Sequence, residues 1–136
     1  MRNSPNLNKE RFTENEYVEI WIENGIVYEV FKPDTILTID VAKQVVIDRL
    51  KVSNEMTTPI FIDIRNLISS DSRARQYMAS KGAVDYISAG AFLMDNELMR
   101  LLGNIFIKVD KPLIPTKLFT DTEKALTWLQ SFKFLN

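Results

Sequence analysis

Residues 59–78 read PIFIDIRNLISSDSRARQYM, and the way this stretch is parsed decides the fold. Its opening, PIFIDI, is a short apolar run rich in β-branched residues. It does not alternate with polar residues, so it reads as a strand buried on both faces, typical of the centre of a parallel sheet. The strand ends at Asp63. A polar run follows, and then SRARQYM begins a short helix for which Ser70 or Asp71 can supply the N-cap. A strand buried on both sides needs layers above and below it, and the rest of the chain supplies them.

Upstream, YVEIWIENGIVYEVFK (residues 17–32) alternates in polarity around Asn24-Gly25, the dipeptide that favours a tight hairpin turn. TIDVAKQVVIDRLKVSN (38–54) has helical spacing at Val41, Ala42, Val45, Val46 and Leu50, with Thr38 as N-cap and Asp40 in the first turn. Downstream, Gly82 is a natural C-cap for the SRARQYMASKG helix, and VDYISAGAFLM forms the next strand with Gly90 marking a bulge or close approach. DNELMRLLGNIFIKV is a helix capped by Asp95 or Asn96, with Leu98, Leu101, Leu102, Ile105 and Phe106 on its apolar side. TKLFT is a short strand. In the closing helix, Thr120 and Glu123 match the capping-box spacing, and Ala125, Trp128, Leu129 and Phe132 share a face. The order β-β-α-β-α-β-α-β-α predicts one α/β domain over residues 15–136, a mixed and mostly parallel sheet covered by helices, after a poorly ordered tail at 1–14.

Composition narrows the function. The chain has 136 residues and a formal net charge of −1, so it carries no global field for nucleic acid, and a dedicated nucleic-acid partner is disfavoured. It contains no cysteine and no histidine. Disulfide scaffolds, thiolate metal sites and cysteine catalysis are thereby excluded, and the commonest general base and zinc ligand are missing. The expectation is a protein that is not an enzyme and uses no cofactor or metal. No run approaches the length of a membrane span and the first dozen residues lack an apolar signal core, so the expected location is the cytoplasm.

In this setting Asp63, Asp71 and Ser72 carry a resemblance. The chain resembles the STAS domain, the SpoIIAA-like fold of bacterial anti-sigma-factor antagonists, from about Tyr17 onward. In that family a central strand ends in an aspartate, and eight residues later an Asp-Ser pair opens a helix; that serine is the phosphorylated one. Here Asp63 is followed at the same spacing by Asp71 and Ser72. The loop VDKPLIPTKLF and the closing DTEKALTWL are similar to uncharacterised bacterial STAS/SpoIIAA-like proteins, some grouped with CRAL-TRIO lipid carriers. Arg65 stands where the family carries serine, and Arg73-Ala74 where it carries Ser/Thr-Gly. The resemblance implies a protein-binding regulatory module whose partner is another protein, such as a kinase or regulatory factor. It also implies phosphorylation at Ser72, with neighbouring Ser70 the second candidate.

Each candidate has an ordinary structural reading beside the functional one. Ser70 or Asp71 can simply cap a helix. Arg65, Arg73 and Arg75 can form an anion or partner site, or a solvated helix face whose ion pairs contribute little. Asp63 can serve as a base or magnesium ligand, or accept backbone hydrogen bonds in the strand-to-helix turn. The apolar stretch Ala91–Ile107, with Leu93, Met94, Leu98, Met99, Leu102 and Phe106, is either core or the lining of a lipid groove; the latter is the alternative function, a small hydrophobic-ligand carrier. Trp21 shares a hairpin face with Tyr17, Glu19 and Glu23, which leaves it half exposed or packed on a partner and hints at a homodimer.

Overall fold

The structure is a computed structural model that describes residues 9–133. Strands β1 (Lys9–Glu14), β2 (Val18–Glu23) and β3 (Ile26–Phe31) form an antiparallel meander. Asn24 and Gly25 both adopt positive φ (52° and 76°), as a two-residue hairpin turn requires. Lys9–Glu14, expected within a poorly ordered tail, instead form β1 and pair with β2; residues 1–8 lie outside the described residues. The short β4 (Thr35–Leu37) leads into helix α1 (Ile39–Ser53), and β5 (Thr58–Asp63) follows. Thr38 caps α1 through Oγ1, which accepts from the Val41 N–H at 3.3 Å.

Every residue of β5 is buried, as its unbroken apolar run predicts. It pairs in parallel with β3 on one side and with β7 (Ile87–Leu93) on the other, and β8 (Thr116–Phe119) closes the sheet. The strand order is β1-β2-β3-β5-β7-β8. A second, two-stranded parallel ladder joins β4 to β6 (Leu67–Ser70), inside the segment read from the sequence as a polar loop.

Helices α1, α2 (Ser72–Met78) and α4 (Glu97–Ile105) lie over one face, around Ile20, Phe31, Val45, Ile60, Ile62 and Met99. Helix α5 (Thr122–Gln130) covers the other through Ala125 and Leu129, against Ile26, Phe61 and Ala91. Four local expectations are corrected. Gly82 does not end α2: Ala79 is its C-cap, and Gly82 lies inside the four-residue α3 (Lys81–Val84). Asp121, not Thr120, caps α5, accepting from the Lys124 N–H. Trp21 is only 8% exposed and stacks on Tyr28 with ring centroids 5.2 Å apart, so it is spent inside the fold rather than left for a partner. Leu98 and Leu101 do not face the core; α4 buries Met99 and Gly103 instead.

The register between β5 and β7 slips by one residue just before Gly90, which places the expected bulge at residues 88–89. The close approach belongs to a different glycine. A Cβ on Gly103 would stand 2.8 Å from Leu118 Cδ2, so with glycine the Leu118 side chain can seat against α4 without shifting.

Candidate functional site

Asp63 ends the central strand at its carboxyl edge, where α/β sheets usually present their working groups. Its carboxylate is nearly buried and already committed. It accepts from the Arg65 N–H at 3.0 Å, from Arg65 Nε at 3.0 Å and from Arg65 Nη2 at 2.8 Å. This is a two-pronged fork on a two-residue turn. Hydrogen bonding to Asp63 pushes the Arg65 guanidinium above its ordinary pKa, against a smaller opposing effect of burial. An aspartate held this way accepts bonds and positions the turn, which is the plainer of the two roles considered for it.

The helix start follows from the next residues. Asp71 caps α2, its Oδ1 accepting from the Ala74 N–H at 2.7 Å. Ser72 is the first helical residue. It is exposed, as is Arg73, and neither side chain has a partner among the described residues. Ser70 differs: it is half-buried, and its carbonyl and hydroxyl both accept from Arg75 Nη1, at 2.7 and 3.2 Å. Arg75 turns inward and its Nε lies 3.4 Å from Asp110 Oδ2, an ion pair by distance in which neither atom has a hydrogen-bond partner among the described residues; the two side chains are 13% and 4% exposed.

The three arginines therefore do not converge. Arg65, half exposed, is held by Asp63; Arg75 is held by Asp110 and Ser70; Arg73 faces solvent with no ion pair among the described residues. The structure brings Asp63 and Arg65 together, joins Ser70 to Arg75, and leaves Asp71, Ser72 and Arg73 as an exposed rim.

Asp110 reaches Arg75 because the backbone widens after α4. Residues Phe106–Asp110 form a π-helical turn, with the Lys111 N–H donating to the Phe106 carbonyl at 3.0 Å. Phe106, with Ile62, Met78 and Phe92, lines both of two small cavities. One, of about 50 Å³, is lined by Phe31, Leu37, Leu67, Arg75 and Met99 beneath the β6–α2 segment. The other, of about 40 Å³, has Glu29, Arg49, Gly90 and Thr116 in its walls. Small-molecule sites run to roughly 300–1,000 Å³. Neither cavity reaches that range, and the stretch Ala91–Ile107 mostly builds core around them.

Glu29 and Arg49 were not singled out by the sequence reading. Glu29 is 2% exposed, and its Oε1 has no hydrogen-bond partner among the described residues. Burial pushes its carboxyl up to about 7, with the Arg49 charge pulling the other way. Arg49, 1% exposed, spends its donors on the Asp85 carbonyl (2.6 Å), the Ala83 carbonyl (2.7 Å) and Ser53 Oγ (3.3 Å). It tethers α1 to α3. The signal was present: Glu29 shares strand parity with Val27 and Phe31, and Arg49 follows Val45 by four residues on the apolar stripe of α1. Among the described residues no cluster of three or more acidic side chains could hold a metal ion, and no helix is long and apolar enough to cross a membrane.

Residues 20–133 match the model of a protein family described as a domain of unknown function (DUF7793), and the chain belongs to that family. No curated protein matches the chain. Among solved structures it is similar to an uncharacterised protein of the DUF3478 family from Shewanella loihica PV-4, which has a SpoIIAA-like fold. The TM-score is 0.58 at 20% identity, over 86% of this chain and 98% of that one. At that identity the likeness establishes the fold, and the SpoIIAA-like architecture anticipated from Asp63, Asp71 and Ser72 is the one the chain adopts.

Proposed function

We propose that this DUF7793 domain with a SpoIIAA-like fold is a non-catalytic binding module. Its docking surface is the rim from Ser69 to Arg73, and Ser72 is its point of covalent control. The observation that carries the reading is the contrast between neighbours. Asp63, Arg65, Ser70 and Arg75 are bound to one another or to the core, while Ser72 and Arg73 are exposed at the head of α2 with no side-chain partner among the described residues. A rigid base thus presents a serine hydroxyl next to a solvated guanidinium.

Phosphorylation of Ser72 would add close to two negative charges beside Arg73 and Asp71, turning a rim with one acid and one base into a net negative one. A protein partner reading that rim by charge would be gained or released accordingly. Asp63 supports the binding reading because its oxygens are occupied by Arg65, which leaves it poorly placed as a base.

Phosphate-affinity electrophoresis of the protein from its native cell tests the control step. A retarded band that is lost in Ser72→Ala is expected. Absence of such a band under every growth condition, or its persistence in Ser72→Ala, refutes Ser72 as the acceptor.

A further inference from the structure

Helix α4 and the π-helical turn after it are apolar on both sides. The inner side buries Met99, Gly103 and Phe106. The outer side exposes Leu98 (49%), Leu101 (58%) and Val109 (69%), and Leu113 (66%) follows in the next loop. Positions 98, 101, 105 and 109 recur at helical spacing, with half-buried Ile105 completing one stripe. Single exposed leucines need no explanation, but a continuous stripe on a helix marks a contact surface.

The charges at its two ends identify the occupant. The acids Asp95 and Glu97 stand at the N-terminal end, and the bases Lys108 and Lys111 at the C-terminal end, all exposed. Glu97 is only loosely held, 3.6 Å from Arg100, in a surface pair of little energetic weight. Asp95 and Lys111 are equally far in sequence from Gly103. An anionic membrane would attract the lysines but repel the acids at the other end. A second copy of the same stripe, laid antiparallel across a two-fold axis, satisfies both ends at once. Leu101 of one copy then meets Ile105 of the other, and each acidic end faces a basic end. The contact is isologous and closes on itself, and it also opposes the two helix dipoles.

We propose that the outer face of α4 and its π-helical turn is a self-association surface, occupied by the same face of a second copy in antiparallel orientation. It is distinct from the rim at Ser72 and does not depend on the reading of that rim.

Sedimentation velocity of the full chain over a concentration series is the test. Wild type is expected to populate a dimer. Leu101→Asp should raise the dissociation constant by about 30-fold or more, the effect of losing one central anchor. Val109→Asp, at a still more exposed position, is the second variant should the first disturb folding, and unchanged circular dichroism is required of whichever is used. Glu97→Lys should weaken the dimer, and adding Lys108→Glu should restore it. A protein that stays monomeric up to about 1 mM overturns the proposal. So does a dimer indifferent to Leu101→Asp and Val109→Asp, or a double charge reversal that does not recover association. Binding of monomer to phosphatidylserine vesicles through Leu101 would assign the stripe to a lipid surface and likewise overturn it.

Discussion

Replacing Glu29 by glutamine should change how stability depends on pH more than it changes the fold. The Glu29 carboxyl is buried on β3 with Oε1 unpartnered, and the nearby Arg49 guanidinium is engaged with carbonyls of α3 and its C-cap rather than with the glutamate. Burial raises its pKa from 4.5 to about 7. The folded state therefore holds a proton over an interval in which the unfolded chain has released it. Stability falls with rising pH wherever the native state binds more protons. The contribution of Glu29 is thus fully present below about 4.5 and lost as pH rises through about 7. At about 1.4 kcal/mol per pH unit, this interval amounts to about 3 kcal/mol, an upper figure for a site that can relax or admit water. Glutamine mimics the protonated carboxyl. Glu29→Gln should therefore match wild type near pH 4.5, exceed it by up to about 3 kcal/mol near pH 8, and remove the fall between them. Asp48 does not confuse the window. Desolvation raises its pKa, but hydrogen bonds from Asn15, Gln44 and Lys51 outweigh this and leave it below 3.8, so its titration falls at more acid pH. Urea unfolding followed by tryptophan fluorescence, in pH steps, measures the profile. A wild-type curve that is flat between pH 4.5 and 7, or a variant with the same slope as wild type, would refute the assignment of Glu29 as a buried, unpaired acid.

Three further outcomes follow from packing and pairing. Gly103→Ala should destabilise by about 1 kcal/mol in chemical denaturation, because the methyl group would lie 2.8 Å from Leu118 Cδ2 and overpacking outweighs the gain in helix propensity; Leu118→Ala in the same chain should erase the clash component. Asp110→Asn should cost about 3 kcal/mol by leaving Arg75 charged and buried, and a double-mutant cycle with Arg75→Met should show coupling of at least about 1 kcal/mol. Asp63→Ala should cost about 2 kcal/mol in urea unfolding and Arg65→Ala about 1 or less, since only the first leaves the Arg65 N–H without its acceptor while the second removes a half-exposed cation.

Much of this architecture was legible in the chain. The hairpin was readable because Asn24-Gly25 is a backbone instruction, and the central strand because PIFIDI has no polar residue to place outward before Asp63. The helix caps were visible in kind but not always in position: a serine, threonine or aspartate within two residues can serve, and tertiary packing chooses, as it chose Asp121 over Thr120. β1 and the β4–β6 ladder were missed because their pairing partners are distant or short, and no local periodicity reports them. α4 was misjudged because both of its sides are apolar. Periodicity cannot say which side meets the sheet, and the closeness demanded by Leu118 at Gly103 decides it.

The candidate site was half legible for a related reason. Spacing anticipated Asp63 at the end of the central strand and Asp71 and Ser72 at the start of a helix, and each stands at the end of its element. What spacing could not give was the commitment of each arginine. Whether Arg75 faces a ligand or the core depends on Asp110, thirty-five residues away and delivered by a π-helical turn with no sequence signature. Once Arg65 is held by Asp63 and Arg75 by Asp110, the local cations stabilise the platform instead of neutralising its rim. The rim's charge then rests on Asp71 and Arg73, which balance, so on the proposed reading one phosphate at Ser72 would make it net negative. On the proposed reading the departures from the small residues usual at these positions fit a switch: Arg65 and Arg75, each held in an ion pair, stiffen the base, and Arg73, with no ion pair among the described residues, gives a partner a charge to read.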